Sequence, residues 1–261
     1  ISRYFANIID GLSQEAGFEV LLGVIHSENE YLKDKRSTLN YAWINRFMSS
    51  RYGQKSYLLN QQYCRWPLKK GGFDLFHPTY YDPYYLAYLK KPLVITVHDM
   101  THERLPEYFW AEDPLTHHKR LNIERADRII AISETTKKDL IQLSGVDPSK
   151  IEVIYHGIDL DRPLEVLPVL NLPERYVLYV GDRAGFKNFY LFAKAFSVIV
   201  RKYPELRLVL SGGGNLAVGE KEFLRNLGLL DKVQHVHVTD AELNFLYQHA
   251  AAFVYPSLYE G

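Results

Sequence analysis

The sequence has no excess of charge of either sign and almost no cysteine. Its 261 residues include 31 Lys and Arg against 31 Asp and Glu, with Cys64 as the single cysteine. Attraction to nucleic acid or anionic lipid must therefore come from a local patch. One cysteine excludes an internal disulfide framework and any zinc site built from several cysteines. We therefore expect a cytoplasmic protein with no nucleic-acid partner.

Long hydrophobic runs are also lacking. The longest, such as PLVITVH and YVLYVG, are far shorter than the roughly 20 apolar residues that a membrane-spanning helix needs. The chain opens directly on a helical pattern, without Met, and ends at PSLYEG. We expect that both ends are incomplete, with a first strand absent before residue 1.

Apolar residues are nevertheless abundant, at 47% of the chain, which is enough to fill the cores of two ordinary domains. Short β-rich runs alternate with helical stretches, a pattern typical of a parallel sheet covered by helices on both faces. In the first half we predict an opening helix, a helix with Ser133 as its N-cap, and strands at 18–25, 73–78, 92–99, 126–133 and 151–158. In the second half we predict strands at 176–181, 206–214, 233–238 and 251–257, with helices between them.

A proline-containing segment interrupts this alternation. Prolines at positions 163, 168 and 173 suit a linker better than a helix or a central strand. We therefore predict an N-terminal domain at 1–160, a linker at 161–174 and a C-terminal domain at 175–261.

The stretch VGDRAGFKNF (180–189) follows a predicted strand and precedes a predicted helix. In open α/β sheets, ligands collect beyond the carboxyl ends of strands. Gly181 and the start of the helix offer backbone N–H groups. Arg183 can donate two hydrogen bonds to phosphate oxygens at once, and Lys187 adds a point charge. A pyrophosphate is the expected ligand, and a pair of solvated surface cations is the alternative.

Other turns carry candidate residues with simpler alternatives. His98 ends a predicted strand and is placed either to contact a substrate or to satisfy a loop carbonyl. The glycines of SGGGN (211–215) either let a ligand approach closely or form a plain turn. We interpret the DLD motif (159–161) and the HVH motif (235–237) as surface and sheet positions, because neither has the further ligands that a metal site needs.

The order of these pieces along the chain resembles a known family. ISRYFANII, FHPTYY, TVHDMTHERLPEYF, ADRIIAISETTKKDL, KIEVIYHGID, YVLYVGDRAGFKNF, LVLSGGG and AAFVYPSLYEG are similar to segments of retaining GT-B-type glycosyltransferases, often called family four. Within this family, the segments resemble bacterial mannosyltransferase-like enzymes of O-antigen and polysaccharide assembly. The resemblance implies an α/β fold with two Rossmann-like domains facing across a cleft, the acceptor on the first and the nucleotide-sugar on the second.

The resemblance also implies roles for individual residues. Gly181, Arg183 and Lys187 would bind the donor diphosphate, and His98 and Glu260 would act at the transferred sugar. The resemblance is less specific for the remaining positions. It implies that Val238 and Asp240 contact the nucleobase, that Ser2 and Arg3 lie near the phosphates and acceptor, and that Gly261 lies at the sugar.

The implied reaction is transfer of a hexose, with mannose from GDP-mannose as the best match, to a glycan or lipid-linked acceptor with retention of configuration. No cofactor and no obligatory metal are expected. Two alternatives would use the same phosphate-binding residues. One is a GT-B-type sugar-nucleotide epimerase, for which the acid/base carboxylates are not identifiable, and the other is a noncatalytic nucleotide-sugar-binding protein. A lipid-linked acceptor further suggests peripheral contact with the inner face of a membrane through KDKR (33–36) or LKKGG (68–72), for which ordinary solvated charge is the alternative.

Overall fold

A computed structural model describes residues 2–25, 31, 53–157 and 164–261 of the protein. The chain divides into two compact units, the first extending to His156 and the second from Gly157 to Glu260. The prediction for KDKR and that for the DLD motif concern residues outside this description.

The first unit contains five described α-helices and three strands. The helices are α1 (Ser2–Gln14), α2 (Gly53–Lys70), α3 (Thr101–Arg104), α4 (Leu115–Arg125) and α5 (Glu134–Ser144). The strands are β1 (Val94–Val97), β2 (Arg128–Ala131) and β3 (Ile151–Val153), and single 3-10 turns lie at Pro83–Tyr85, Pro106–Tyr108 and Pro148–Lys150.

The three strands form a parallel sheet in the order β1-β2-β3. Three predicted strands of this half are therefore confirmed, each shorter than its predicted range. The predicted strand 73–78 is reduced to one parallel bridge between Phe76 and Leu93. The predicted strand 18–25 is not formed: among the described residues no strand pairs with it, and the N–H of Ile25 bonds to Asn60 Oδ1 at 2.9 Å.

The core of this unit lies between the sheet and the helices. Its buried members come from α2, the aromatic segment after it, the strands, and α4 and α5; they include Tyr81, Tyr85, Ile95, Val97, Ile123, Ile129 and Leu140. Most of the tyrosines at 76–89 thus contribute to this core. Helix α5 begins as predicted, because Ser133 Oγ accepts the N–H of Thr136, and it ends at Gly145, whose φ of 66° favours glycine.

The second unit repeats the pattern with three helices and four strands. The helices are α6 (Phe189–Lys202), α7 (Val218–Asn226) and α8 (Asp240–His249), with 3-10 turns at Gly185–Lys187 and Leu230–Lys232. The strands are β4 (Tyr176–Val180), β5 (Arg207–Ser211), β6 (Val233–Val236) and β7 (Ala252–Phe253), again parallel, in the order β6-β5-β4-β7.

Alternate residues of β4 face opposite sides of this sheet, as the strand period of two requires. Val177 and Tyr179 pack with Phe189 and Phe196 of α6 on one side. Tyr176 and Leu178 pack with Leu246 of α8 on the other. Both faces of the two central strands, β4 and β5, are therefore buried, which agrees with parallel pairing.

Within the second unit, residues 164–169 of the predicted linker have no regular secondary structure. This agrees with the composition of the segment, but the boundaries at 160 and 174 stay predictions. Within the described part of the chain, no helix is both long and apolar enough to cross a bilayer.

The two leucines of α5 provide a test of the core of the first unit. Leu140 is fully buried, whereas Leu143 is 41% exposed. We expect Leu140→Ala to lower the free energy of unfolding by about 2–5 kcal/mol, because it removes buried methyl groups and leaves a cavity. Leu143→Ala should cost less than about 1 kcal/mol. Urea unfolding monitored by circular dichroism measures both; equal losses would contradict this packing.

Candidate functional site

The carboxyl ends of β4, β5, β6 and β7 lie along one edge of the second sheet, because all four strands are parallel. β4 is hydrogen-bonded to β5 on one side and to β7 on the other. The turns that follow these strands are consequently neighbours. This edge contains most of the residues that the sequence assigns to the nucleotide-sugar.

Lys187 and Glu260 meet at this edge although 73 residues separate them. Lys187 Nζ donates to Glu260 Oε1 at 2.6 Å and to the hydroxyl of Tyr255 at 3.0 Å. Burial lowers the pKa of Lys187, but the bonds to Glu260 and Tyr255 outweigh it, so the pKa is raised overall. Lys187 is therefore a firmly charged cation in contact with a carboxylate that is 44% exposed.

Hydrogen bonds to backbone carbonyls hold the two turns together. The N–H of Leu258 donates to the carbonyl of Phe186 at 2.9 Å, and Asn188 Nδ2 donates to the carbonyl of Pro256 at 3.2 Å. Asn188 lies in the left-handed region with a φ of 60°, directly before α6. The two turns that contain Lys187 and Glu260 are thus hydrogen-bonded to each other.

Arg183 differs from the expectation of an open phosphate ligand. Its side chain is 3% exposed, and Nε donates to Glu220 Oε1 at 2.8 Å. Nη1 donates to the carbonyl of Gly212, and Nη2 to the carbonyls of Gly213 and Gly214, at 2.9–3.0 Å. As predicted, Arg183 lies at the carboxyl edge of the parallel sheet, where ligands collect in such folds. Its side chain, however, is directed at protein acceptors. Its role toward phosphate stays a prediction.

The glycine turn, residues 212–215, packs directly on the turn after β4. A Cβ at Gly212 would lie 3.2 Å from the nitrogen of Gly181, and one at Gly213 would lie 2.9 Å from the oxygen of Gly181. Gly213 also has a φ of 66°, which disfavours other residues. These two glycines are therefore required by the contact between two turns of the protein itself.

The two histidines of the HVH motif contact the same glycine turn. His235 Nε2 lies 3.0 Å from the carbonyl oxygen of Gly212, and His237 Nε2 lies 3.0 Å from Asn215 Oδ1. His235 lies in β6, as predicted, whereas His237 lies one residue beyond the end of that strand. Within the described residues, no group of three or more His, Cys, Asp and Glu side chains could hold a metal ion; whether the reaction needs a metal stays a prediction.

Val238 and Asp240 follow β6 at the same edge. Val238 packs in part against the core below α8, and Asp240 is the exposed first residue of that helix. Thr239 caps the helix: Glu242 Oε2 accepts its N–H at 2.8 Å. Val238 and Asp240 thus flank the capped N-terminus of this helix. Their contact with a nucleobase stays a prediction.

In the first unit, His98 directly follows β1, as predicted. Its Nε2 is shielded from solvent and has no hydrogen-bond partner among the described residues. Its backbone N–H donates to the hydroxyl of Tyr81 at 3.3 Å, and its ring stacks with that of His156 at 5.7 Å between centroids. Burial lowers the pKa of His98 to about 4, so the ring is neutral at pH 7.

A hydrogen-bond chain that was not predicted from the sequence lies beside His98. Thr96 Oγ1 is 3.1 Å from the hydroxyl of Tyr4 and 3.0 Å from His77 Nε2. The ring of Tyr4 packs edge-on against His98 and His156, at 5.3 and 4.9 Å. The period of two along β1 puts Thr96 and His98 on one face, and this signal was available in the sequence.

The remaining predicted positions are less informative. Ser2 and Arg3 are exposed residues at the start of α1, and Arg3 Nη2 donates to the hydroxyl of Tyr31 at 3.1 Å. Gly261 is exposed and outside regular structure. Two further residues at this edge, Glu220 and Tyr255, were not predicted from the sequence. A Glu three residues into a helix commonly bonds the preceding backbone, which could have identified Glu220.

Two family descriptions match consecutive parts of the chain. Glycosyltransferase Family 4 matches residues 1–162, and Glycosyl transferases group 1 matches residues 168–261.

Curated relatives include two enzymes of bacterial polysaccharide assembly. The chain is 30% identical over 168 residues to the O-antigen chain mannosyltransferase RfbU of Salmonella typhimurium, covering 64% of this chain and 46% of that protein. It is 28% identical over 229 residues to the O-antigen chain mannosyltransferase B of Escherichia coli, covering 78% of this chain and 56% of that protein. The matched part thus spans about half the length of either relative.

Solved structures with the same fold include those of WaaB and of S. aureus TarM. The lipopolysaccharide outer core galactosyltransferase WaaB superposes with a TM-score of 0.58 at 17% identity, over 99% of this chain and 71% of that one. A structure of S. aureus TarM in complex with UDP superposes with a TM-score of 0.59 at 15% identity, over 77% of this chain and 41% of that one. The predicted family resemblance and the α/β GT-B fold are confirmed.

The buried histidines near β1 predict a pH dependence of stability. Burial lowers the pKa of His77 to about 4, against about 6.5 in an unfolded chain. Between these values the unfolded chain binds more protons, so the free energy of unfolding falls as the pH drops from 7 toward 4. Replacing His77 by Gln should remove on the order of 1–3 kcal/mol of this fall. Urea titrations at pH 7 and 4.5 measure it, with His117→Gln, an exposed residue of α4, as control; equal pH slopes in both variants would contradict the assignment.

Proposed function

The chain belongs to Glycosyltransferase Family 4, and on that basis we propose that it transfers a hexose from a nucleotide-sugar to a glycan or lipid-linked acceptor, with retention of configuration. The names of the O-antigen mannosyltransferase relatives favour mannose and GDP-mannose. The observation that carries the proposal is the Lys187–Glu260 pair at the carboxyl edge of the second sheet. It combines a cation suited to a diphosphate with a carboxylate suited to sugar hydroxyls.

In the proposed reaction an acceptor hydroxyl oxygen forms a bond to the anomeric carbon of the sugar. The bond from that carbon to the diphosphate oxygen breaks, and its electron pair remains on the leaving phosphate. The acceptor proton passes to the leaving phosphate oxygen. Lys187 stabilises the charge that develops on this phosphate, and the backbone N–H groups after Gly181 assist it. A fixed cation can take the place of a divalent ion here, so we propose no obligatory metal.

Glu260 and His98 are proposed to act on the sugar. Glu260 accepts hydrogen bonds from sugar hydroxyls and faces the positive charge that develops at the anomeric carbon. The neutral ring of His98 offers Nε2, which has no partner among the described residues, as a donor or acceptor for a hydroxyl of the transferred hexose. An uncharged histidine suits this role, because a fixed positive charge would oppose the developing cation.

The remaining sequence assignments are retained as proposals. Val238 and Asp240 would contact the nucleobase, Ser2 and Arg3 would lie toward the phosphates and acceptor, and Gly261 would approach the sugar. Radiolabelled transfer from a panel that includes GDP-mannose and UDP-hexoses tests the donor. Label from GDP-mannose in a glycan or lipid-linked product supports the proposal, and no transfer from any nucleotide-sugar would refute it.

The first unit also has a surface suited to a membrane-bound acceptor, which we name the basic–aromatic patch: Arg65, Trp66, Lys69, Lys70 and Tyr88. Trp66 is 64% exposed, with Lys70 Nζ 5.1 Å from its ring. Arg65 and Lys69 lie over the ring of Tyr88 at 5.3 and 5.1 Å. Cations around an exposed indole fit the headgroup layer of an anionic bilayer. We propose a cytoplasmic protein that contacts the membrane peripherally through this patch.

Lys187→Ala should reduce kcat/KM for the nucleotide-sugar about tenfold to a hundredfold, since a charge-assisted contact to phosphate is worth about 1.5–3 kcal/mol. The free energy of unfolding should change little, because the partners of the lysine side chain among the described residues, Glu260 and Tyr255, are partly exposed. Lys194→Ala, an exposed lysine of α6, is the matched control. Steady-state transfer kinetics give the result; kcat/KM equal to that of the control would remove Lys187 from the donor site.

A double charge reversal tests the basic–aromatic patch. Lys69→Glu with Lys70→Glu should weaken binding to phosphatidylglycerol vesicles at low salt about tenfold or more, since each lysine near an anionic surface contributes about 1 kcal/mol. Reversal of Lys137 and Lys138 on α5 makes the same change of charge elsewhere on the unit. Vesicle flotation at increasing salt measures both. Identical flotation of the two variants, or no flotation of the parent protein, would count against the patch.

A further inference from the structure

Arg183 is the most completely bonded buried cation of the second unit's candidate site. Besides the bond to Glu220, its two Nη atoms reach the carbonyls of three consecutive glycines, Gly212 to Gly214. Nη2 also lies 3.3 Å from the carbonyl of Asn215. An arginine suits this position because its planar group carries five donors in a fixed fork. A lysine could not reach this set from one nitrogen.

The direction of these carbonyls determines the direction of the neighbouring N–H groups. No cis peptide is found in the described chain, and in a planar trans peptide the C=O and the following N–H point in opposite directions. Because the carbonyls of Gly212, Gly213 and Gly214 face Arg183, the N–H groups of Gly213, Gly214 and Asn215 face away from it. The guanidinium therefore orients three adjacent donors at the carboxyl edge of β5.

Glu220 completes this arrangement. Its carboxylate accepts from Arg183 Nε at 2.8 Å and, through Oε2, from the N–H of Ala217 at 2.7 Å. The glutamate side chain is only 13% exposed. A phosphate that approached Arg183 would have to displace this buried carboxylate and break the glycine carbonyl bonds, which would leave several buried acceptors unsatisfied.

We propose that Arg183 is a positioning residue, which holds the glycine turn with its N–H groups toward the nucleotide and does not itself contact the phosphates. This inference rests on the proposed function for its connection to the donor. It assigns the direct cationic contact to Lys187 and separates the roles of two residues that share one turn. Gly212 and Gly213 are required for the same arrangement of the glycine turn, because a Cβ at either residue would disturb the contact with Gly181.

The conformational part of the proposal is tested without any ligand. Backbone ¹⁵N relaxation of the full chain should give order parameters near ~0.85 for Gly212 to Asn215, falling below ~0.6 in Arg183→Lys and in Glu220→Gln. Arg175→Lys is the matched control, because Arg175 forms an exposed ion pair with Glu205 at the opposite end of β4. Rigid turns in both site variants would overturn the proposal.

Calorimetric titration with GDP separates positioning from direct contact. A positioning role predicts that Arg183→Lys and Glu220→Gln both weaken GDP binding, by about tenfold. A direct phosphate ligand predicts opposite behaviour for Glu220→Gln, which frees the guanidinium from its carboxylate and should preserve or strengthen binding. Preserved or stronger binding in that variant would therefore overturn the proposal. If the parent protein does not bind GDP, the proposed donor fails, and the relaxation experiment still decides what Arg183 does to the turn.

Discussion

The candidate donor site depends on the parallel pairing of β4 with a neighbour on each side. Pairing with β5 brings the turn after β4 against the glycine turn, and pairing with β7 brings it against the segment that carries Glu260. Residues separated by 29 to 73 positions in sequence thereby become hydrogen-bond partners. A shift of one residue in either register would reverse the faces of the strand and separate these partners.

The two cations of this turn, Arg183 and Lys187, differ in burial, and their proposed roles differ accordingly. Arg183 and Glu220 are both removed from solvent, so their charges compensate each other within the protein. Lys187 and Glu260 also form a close pair, but this pair is less buried, with 19% of the Lys187 side chain and 44% of the Glu260 side chain exposed. A partly exposed pair can exchange partners at lower cost than a buried pair. The less buried pair is therefore the one suited to meet a ligand that arrives and leaves.

Much of the architecture could be predicted, because hydrophobic runs and turn residues are local signals. The strands from Val94 to Phe253 and the N-cap at Ser133 follow from such signals. The edge on which Arg183 lies follows from the rule for parallel sheets. The direction of its side chain could not be predicted, since it depends on Glu220, 37 residues later, and on the φ values of the glycines. The strand predicted at 18–25 was wrong for a similar reason: a strand requires a partner, and local composition does not supply one.

A crystal structure of the protein with GDP bound would test the central claim most directly. The claim is that the carboxyl edge of the second sheet, at the turns after β4 and β7, is the site of the nucleotide diphosphate. We predict the β-phosphate at about 3 Å from Lys187 Nζ, the usual length of a charge-assisted hydrogen bond, with the Arg183–Glu220 pair intact. A diphosphate bound at the amino ends of the strands, or one that contacts neither Lys187 nor the glycine turn, would contradict the account.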